Sequence, residues 1–359
     1  MITGQTARKK TKPVHIGSVQ VGGDAPVIVQ SMTCTDTKDI GSTVRQIRRL
    51  EKAGCEIVRV AVPDREAAAA LPFIKKKIGI PLVADIHFDH RLALAAIASG
   101  ADGVRINPGN IKKDGLRIIA RAARESGTAI RIGINAGSLE KGILNRYGGP
   151  TAEALVESAL NSIALFEDAG FHNLKVSLKS SDVPTTLEAY RSISRKIDYP
   201  LHLGVTEAGS ILQSCIKSSM GIGFLLYEGI GDTIRVSVTG DPVSELRIAY
   251  GILRGLNIRM VGPEIISCPT CGRCGIDLVK LVQKVESRLA ATRAYVKIAL
   301  MGCVVNGPGE AAGADIGIAA GRKGSGLLFK KGRVIRKLRE KDFIPVLLEE
   351  IENLTAQGS

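Results

Sequence analysis

From residue 26 to about 256, short β-branched runs that close on a polar residue alternate with longer stretches whose apolar residues return every three or four positions. The runs are 26–32 (PVIVQSM), 57–62 (IVRVAV), 82–86 (LVADI), 103–107 (GVRIN), 130–135 (IRIGIN), 174–179 (LKVSLK), 201–206 (LHLGVT) and 233–238 (TIRVSV). Between them lie 40–53, 64–77, 90–99, 112–126, 151–169, 184–196, 209–219 and 242–255, with helical spacing as in VRQIRRLEKAG. Strand and helix in alternation predict a parallel sheet. Eight repeats in about 230 residues match a closed α/β (β/α)8 TIM-type barrel. The rival is an open doubly wound sheet, weakened because no Gly-x-Gly-x-x-Gly follows the first strand. Ahead of that strand, KTKPVHIGSVQVGGDAP reads as a β-hairpin.

After residue 256 the rhythm breaks. A Gly/Pro/Cys-rich passage leads to a helix (276–292), a strand (296–302), a Gly/Pro turn (GCVVNGPGE), two further β-rich segments (315–321 and 326–338) and a final helix (342–353). The expected division is a barrel over 1–258 and a small α/β domain over 259–359.

In a barrel, chemistry sits at the carboxyl ends of the strands. Those ends present Gln30, Ser31, Asp85, His87, Arg105, Asn107, Asn135, Lys179, Thr206, Glu207 and Ser237. Period-two spacing puts Lys175, Ser177 and Lys179 on one strand face, and likewise Arg131 with Asn135 and Arg105 with Asn107. A barrel interior ordinarily takes Val or Leu at such positions. Arg59, Arg105, Arg131, Lys175 and Lys179 converging on one mouth therefore predict a multiply charged anion, most economically a diphosphate. Glu207, in GVTEAGS, is a lone carboxylate beside this ring. It suits a salt bridge, a helix N-cap or an acid/base role. His87 and His90 lack an evident third metal ligand.

The chain of 359 residues carries a net charge of +14, which favours anionic partners. Its start is polar and basic, and its longest apolar run is far short of the roughly 20 residues that span a bilayer; a cytoplasmic protein without membrane contact is expected. Seven cysteines then point to metal or thiol chemistry rather than disulfides. SCPTCGRC places Cys268, Cys271 and Cys274 at metal-ligand spacing, and Cys303 follows in the Gly/Pro turn. A zinc site, a [4Fe-4S] cluster and a redox dithiol all remain open on spacing alone. Cys34, Cys55 and Cys215 lack ligand spacing and are expected to be buried small residues. A basic tail (Arg322 to Lys341) reads as a solvated face or as a dock for an acidic redox protein or RNA.

SCPTCGR and GCVVNGPGE, following a barrel that carries VQSMT, ADIHF, VRINPGN, IRIGIN and LGVTEAG, resemble the bacterial hydroxymethylbutenyl diphosphate synthases of the non-mevalonate isoprenoid pathway. The likeness covers nearly the whole chain. It implies reductive ring opening and dehydration of 2-C-methyl-D-erythritol 2,4-cyclodiphosphate on a [4Fe-4S] cluster. The fold implied is a barrel followed by a module like that of sulfite reductase. By the same resemblance the cluster ligands are Cys268, Cys271, Cys303 and, exchangeably, Glu310. Arg59, Arg105, Arg131, Lys179 and Ser237 would hold the diphosphate, with Asp85, His87, Asn107 and Asn135 lining the site. Glu207 would donate a proton. Reduced flavodoxin or ferredoxin would supply electrons, and a head-to-tail homodimer would set one barrel against its partner's cluster domain. Cys274 departs from the ligand set and reads as a spare thiol, the alternative being that it competes with Glu310.

Two other readings compete. One is a basic nucleic-acid-binding protein with a structural zinc module; 4% aromatic residues give it few stacking platforms. The other is a metal-free sugar-phosphate barrel enzyme, which would leave the late cysteines without a role.

Overall fold

The computed structural model describes residues 6–303, 309, 312–321 and 324–356. It divides into two compact units, Met1–Arg259 and Met260–Ser359.

The first unit begins with an antiparallel hairpin, β1 (Val14–Ile16) and β2 (Val19–Val21). Eight parallel strands follow: β3 (Ile28–Met32), β4 (Ile57–Ala61), β5 (Leu82–Ile86), β6 (Gly103–Ile106), β7 (Ala129–Asn135), β8 (Leu174–Lys179), β9 (His202–Leu203) and β10 (Thr233–Ile234). Their spatial order is β8-β7-β6-β5-β4-β3-β10-β9. A parallel bridge between Val176 and Leu201 joins the last strand to the first, so the sheet closes on itself. Helices α1 (Ile40–Lys52), α2 (Arg65–Lys75), α3 (His90–Ala98), α4 (Lys113–Ser126), α5 (Lys141–Tyr147), α6 (Ala152–Asp168), α7 (Val183–Ser194), α8 (Ile211–Tyr227) and α9 (Val243–Gly255) connect them. The predicted TIM-type barrel is thus present with all eight strand–helix repeats.

Chain entry into these helices follows capping chemistry. Asp39, Asp64, Asp89 and Asp182 accept from the backbone N–H groups of Ser42, Ala67, Arg91 and Thr185, at 2.8–2.9 Å. Each is the last polar residue of a strand-to-helix loop. Carboxylates around the barrel mouth are therefore engaged by helix N-termini, and those charges do not point at the arginines inside.

Besides α8, which runs on to Tyr227 where an end at 219 is expected, two details differ from the sequence pattern. Strands β9 and β10 are two residues long where six are expected. At Gly204 the chain leaves the ladder, and a Cβ there would come within 2.5 Å of Lys179 Nζ. After Ile234, Arg235 N–H still bonds Leu203 C=O (3.0 Å), but Val238 N–H turns to the Glu245 carboxylate (3.3 Å). Helix α5 is the second detail, a single short element inserted in the β7–α6 connection, too brief to show a period.

The hairpin plugs the amino-terminal end of the barrel. Val14, Ile16 and Val21 pack on Ile28, Ile57, Val83 and Ala129 in one apolar cluster. Water is thereby excluded from the end of the barrel opposite the strand tips.

In the second unit β11 (Pro263–Ser267), β12 (Val296–Met301), β13 (Ile316–Ala320), β14 (Ser325–Lys330) and β15 (Arg333–Arg339) form one sheet in that order. The first three are parallel and the last two antiparallel. Helices α10 (Leu278–Leu289) and α11 (Phe343–Ala356) cover one face, through Leu281, Val285, Phe343 and Leu347 against Ile298, Ile316 and Leu328. Strand β11 is not evident from sequence because it opens on a proline and runs into the cysteine motif; as an edge strand it tolerates that proline. Among the described residues no helix is long and apolar enough to cross a membrane.

Replacing Ile16, 2% exposed, by Ala removes the centre of the plug. It should cost about 2–5 kcal/mol of stability, read as a lower urea midpoint. An unchanged midpoint would show that the hairpin is not part of the barrel's core.

Candidate active site

The inner face of the barrel is cationic. Neighbouring strands bring Arg59 (β4), Asp85 (β5), Arg105 (β6), Arg131 (β7) and Lys175 (β8) side by side: Asp85 pairs with Arg105, Arg105 with Arg131, and Arg131 with Lys175. Arg105, Arg131, Lys175 and Lys179 are each at most 6% exposed.

Asp85 organises this ring. Its carboxylate lies 3.2 Å from Arg105 Nη1, 3.8 Å from Arg59 Nε and 3.3 Å from His87 Nε2. Arg105 Nη1 also lies 2.8 Å from His87 Nε2, and Nη2 donates to Gly133 C=O (3.3 Å). The amide oxygen of Asn135 accepts from Arg105 Nη2 (3.0 Å) once its nitrogen is turned to Ile134 C=O. A Cβ at Gly133 would overlap Arg105 Nε and displace the guanidinium from this position. Asn107 donates to Ser138 Oγ (2.5 Å), which anchors the loop beyond β6. Ser237 presents its carbonyl to Ser214 Oγ (2.6 Å).

Burial dominates the electrostatics. It pulls the Arg59 guanidinium down to about 10, with Arg235 and Arg105 adding to the effect against the opposing charge of Asp85. It also lowers Arg131, Lys175 and Lys179 well below their ordinary values, and the neighbouring cations push the same way. For Asp85 burial acts upward, but Arg59, the His87 hydrogen bond and Arg105 prevail and hold it well below the usual carboxylate range. Several buried nitrogens have no partner among the described residues: the donors Gln30 Nε2, Arg105 Nε, and Arg131 Nε and Nη1, and the ring nitrogen His202 Nε2. Unmet donors on buried cations are what an anion-binding chamber presents before its ligand arrives.

Sequence reasoning overlooked Arg235 and His202. Arg235 donates to Glu245 Oε1 (3.0 Å), and the other oxygen of Glu245 accepts from Ser31 Oγ (2.8 Å). The signal was available: Arg235 and Ser237 have the same period-two spacing as Arg105 and Asn107. His202 is buried with Nδ1 2.7 Å from Thr233 Oγ1; burial, then the surrounding cations, lower its pKa well below the ordinary histidine value. Lys175 also differs from expectation. It lies below the mouth, lining a small inner cavity with Ile16, Gln30, Arg59 and Arg131.

Glu207 is exposed in the loop after β9, at φ 52°. A non-glycine residue in that left-handed region is strained, and such residues gather at functional turns.

In the second unit Cys268 directly follows β11, and Cys303 follows its parallel neighbour β12 after Gly302, so both lie at the carboxyl ends of those strands. Gly302 N–H reaches Cys268 Sγ at 3.3 Å. Cys274 N–H donates to Cys271 C=O (2.9 Å), and Cys274 Sγ donates to Ile276 C=O (3.2 Å). Glu310 lies outside the described residues. Among the described residues no three metal-ligating side chains are already gathered. Of the cysteines expected to be buried, only Cys55 is; Cys34 and Cys215 are exposed. The reason is local. Cys34 sits in a loop, where Gln46 Nε2 donates to its sulfur (2.9 Å), and Cys215 lies on the outer face of α8.

A family model described as the GcpE TIM-barrel domain matches residues 11–250, and one described as the GcpE protein C-terminal domain matches residues 264–353. The chain belongs to the GcpE family. Similar curated proteins carry the name 4-hydroxy-3-methylbut-2-en-1-yl diphosphate synthase (flavodoxin). That of Caldanaerobacter subterraneus subsp. tengcongensis is 56% identical over 351 residues, covering 98% of this chain and 99% of the relative. That of Geobacter sulfurreducens is 54% identical over 351 residues, with 98% and 99% covered. That of Clostridium tetani is 56% identical over 348 residues, with 97% and 99% covered. Among solved structures, a dihydropteroate synthase from Vibrio fischeri matches 68% of the chain and 98% of its own length at 10% identity, with a TM-score of 0.49.

GcpE membership agrees with the resemblance read from the motifs and removes the nucleic-acid alternative. That alternative rested on the net charge of +14 and the basic tail; five of the chain's cations, at Arg59, Arg105, Arg131, Lys175 and Lys179, are instead committed to the barrel interior, four of them at most 6% exposed.

Lys175 gives the sharpest stability test of this ring. Its lowered pKa means that the unfolded chain binds more protons, so its term in stability grows with pH up to the ordinary lysine value near 10.5. Lys175→Met should stabilise the ligand-free protein by about 1–4 kcal/mol near neutral pH and flatten that rise. Urea melts from pH 6 to 10 would decide; a destabilised variant with an unchanged pH slope contradicts the assignment.

Proposed function

We propose that this chain is a flavodoxin-dependent 4-hydroxy-3-methylbut-2-en-1-yl diphosphate synthase. It converts 2-C-methyl-D-erythritol 2,4-cyclodiphosphate, two electrons and two protons into 4-hydroxy-3-methylbut-2-enyl diphosphate and water. The observation that carries the site assignment is the enclosed cationic chamber with unmet donors on Arg105 and Arg131.

Arg59, Arg105, Arg131, Lys179 and Ser237 hold the diphosphate, and Asp85, His87, Asn107 and Asn135 line the chamber and keep the arginines in place. Opening the ring frees a phosphate oxygen from carbon, so negative charge on the diphosphate grows during the reaction. Guanidinium groups fixed beforehand by Asp85, Asn135 and Gly133 stabilise that growth without reorganising. Burial and the neighbouring cations disfavour the charged form of Lys179 in the empty chamber, and a bound anion favours it. Glu207 delivers a proton to the reacting carbon skeleton.

The late cysteines fit an iron–sulfur cluster. Cys268, Cys271 and Cys303 are soft thiolate donors, two of them at neighbouring strand ends, and a backbone N–H already reaches one sulfur. With Glu310 as fourth ligand they would hold a [4Fe-4S] cluster, which supplies the electrons and, at the Glu310 position, a Lewis-acidic iron. Cys274, bonded to Ile276 C=O, stays outside the ligand set. A head-to-tail homodimer in the cytoplasm completes the reading, bringing one barrel to its partner's cluster domain.

Protein purified without oxygen should contain about four iron and four sulfide per chain and reduce the cyclic diphosphate. Zinc alone, even after anaerobic reconstitution, would reject the assignment. Glu207→Gln should keep fold and iron content yet lose 10²-fold or more in kcat, roughly the worth of a general acid; full turnover removes Glu207 from the reaction. Cys274→Ser should retain iron that Cys271→Ser loses.

A further inference from the structure

The outer edge of the C-terminal sheet has a composition that the reaction itself does not use. Six of the seven residues of β15 are exposed; only Leu338 is buried. At its centre Val334 and Ile335 are 55% and 53% exposed. A register shift between Leu328 and Phe329 makes Ile335 the extra residue of a bulge, so both apolar side chains reach solvent. Arg333, Arg336 and Lys337 surround them. Arg339 pairs with Asp342 (3.2 Å) and Lys330 with Glu350 (3.6 Å), but Arg333, Arg336 and Lys337 have no ion-pair partner among the described residues.

This edge is joined to the cysteine region through the core: Leu338 lies in the cluster against which Cys268 and Cys274 pack, and Phe329 gives a second route. Val334 is the register partner of Phe329. Phe329 packs with Ala299, Met301 and Ala319 in the cluster that Cys268 also touches. Three ladder spacings, roughly 14 Å, separate β15 from β12, the strand that leads into Cys303.

We propose that β15 is the docking surface for the electron donor, an acidic flavodoxin; this rests on the reading of the chain as a reductive enzyme. An apolar centre ringed by unpaired cations is the anatomy of a small, transient interface. Complementary charge speeds encounter, and a modest apolar contact orients the partners without binding them tightly. Simple protection of a sheet edge accounts for the lysine and arginines, but not for two β-branched side chains held in water. A polynucleotide would find no aromatic platform on this strand.

The test is the double variant Arg336→Glu/Lys337→Glu of the cluster-loaded full chain, with Val334→Asp as a second variant. KM for reduced flavodoxin should rise tenfold or more and lose most of its salt dependence. Turnover driven by dithionite should stay within twofold. A titration of flavodoxin fluorescence against the protein should show the same loss of affinity. Unchanged KM and affinity in both variants overturn the proposal. Equal loss with dithionite assigns these residues to the fold or the chemistry and also overturns it, as does salt-resistant RNA binding at this edge. If the unmodified protein reduces no cyclic diphosphate with either donor, the enzymatic reading fails, while the titration still judges the docking surface.

Discussion

Everything in the barrel depends on one carboxylate placed among buried cations. Asp85 touches Arg105, Arg59 and His87, and it is held ionised by them. Desolvation penalises every charge in this chamber, so a single well-placed anion fixes two guanidinium groups that would otherwise repel each other. It does not neutralise the ring. Arg131 keeps two unmet nitrogens, and Lys175 and Lys179 are driven toward their neutral forms. The stability left unrealised there is available to a multiply charged ligand.

The scaffold protects that imbalance. The mouth is ringed by aspartates, yet four of them are occupied by helix N-termini. The opposite end is sealed by Ile16 and its neighbours. Glycines at 133 and 204 leave room for Arg105 and Lys179, at sites where any side chain would collide with them. Rigid strands thus hold the cations, while Glu207 stands on an exposed loop after the strands end.

The second unit has a different logic. Its sheet is shielded by helices on one face and sets cysteines at the ends of two parallel strands, the usual place for chemistry in such sheets. The far edge of the sheet stays open and basic. The buried cations and the late cysteines thus lie in separate folded units, each with its own core.

The sequence alone determined the barrel, the hairpin before it and the limits of nearly every helix, because period-two and period-3.6 patterns are local properties of a chain. It also placed Arg59, Asp85, Arg105, Arg131 and Lys179 together, since residues at corresponding strand ends must meet once a parallel sheet closes. The proposed ligand roles of Cys268, Cys271, Cys303 and Glu310 came from motif resemblance; spacing left zinc, cluster and dithiol open, the dithiol weakened by the lack of a thioredoxin-like pattern. Only the tertiary structure decided that Asp85 holds two arginines, that Lys175 lies below the mouth, and that Arg235 is engaged by Glu245. Those facts depend on barrel stagger and on distances between residues remote in sequence. The same holds for Cys34 and Cys215, whose exposure is set by which face of loop and helix the core covers, and not by the small apolar character of cysteine.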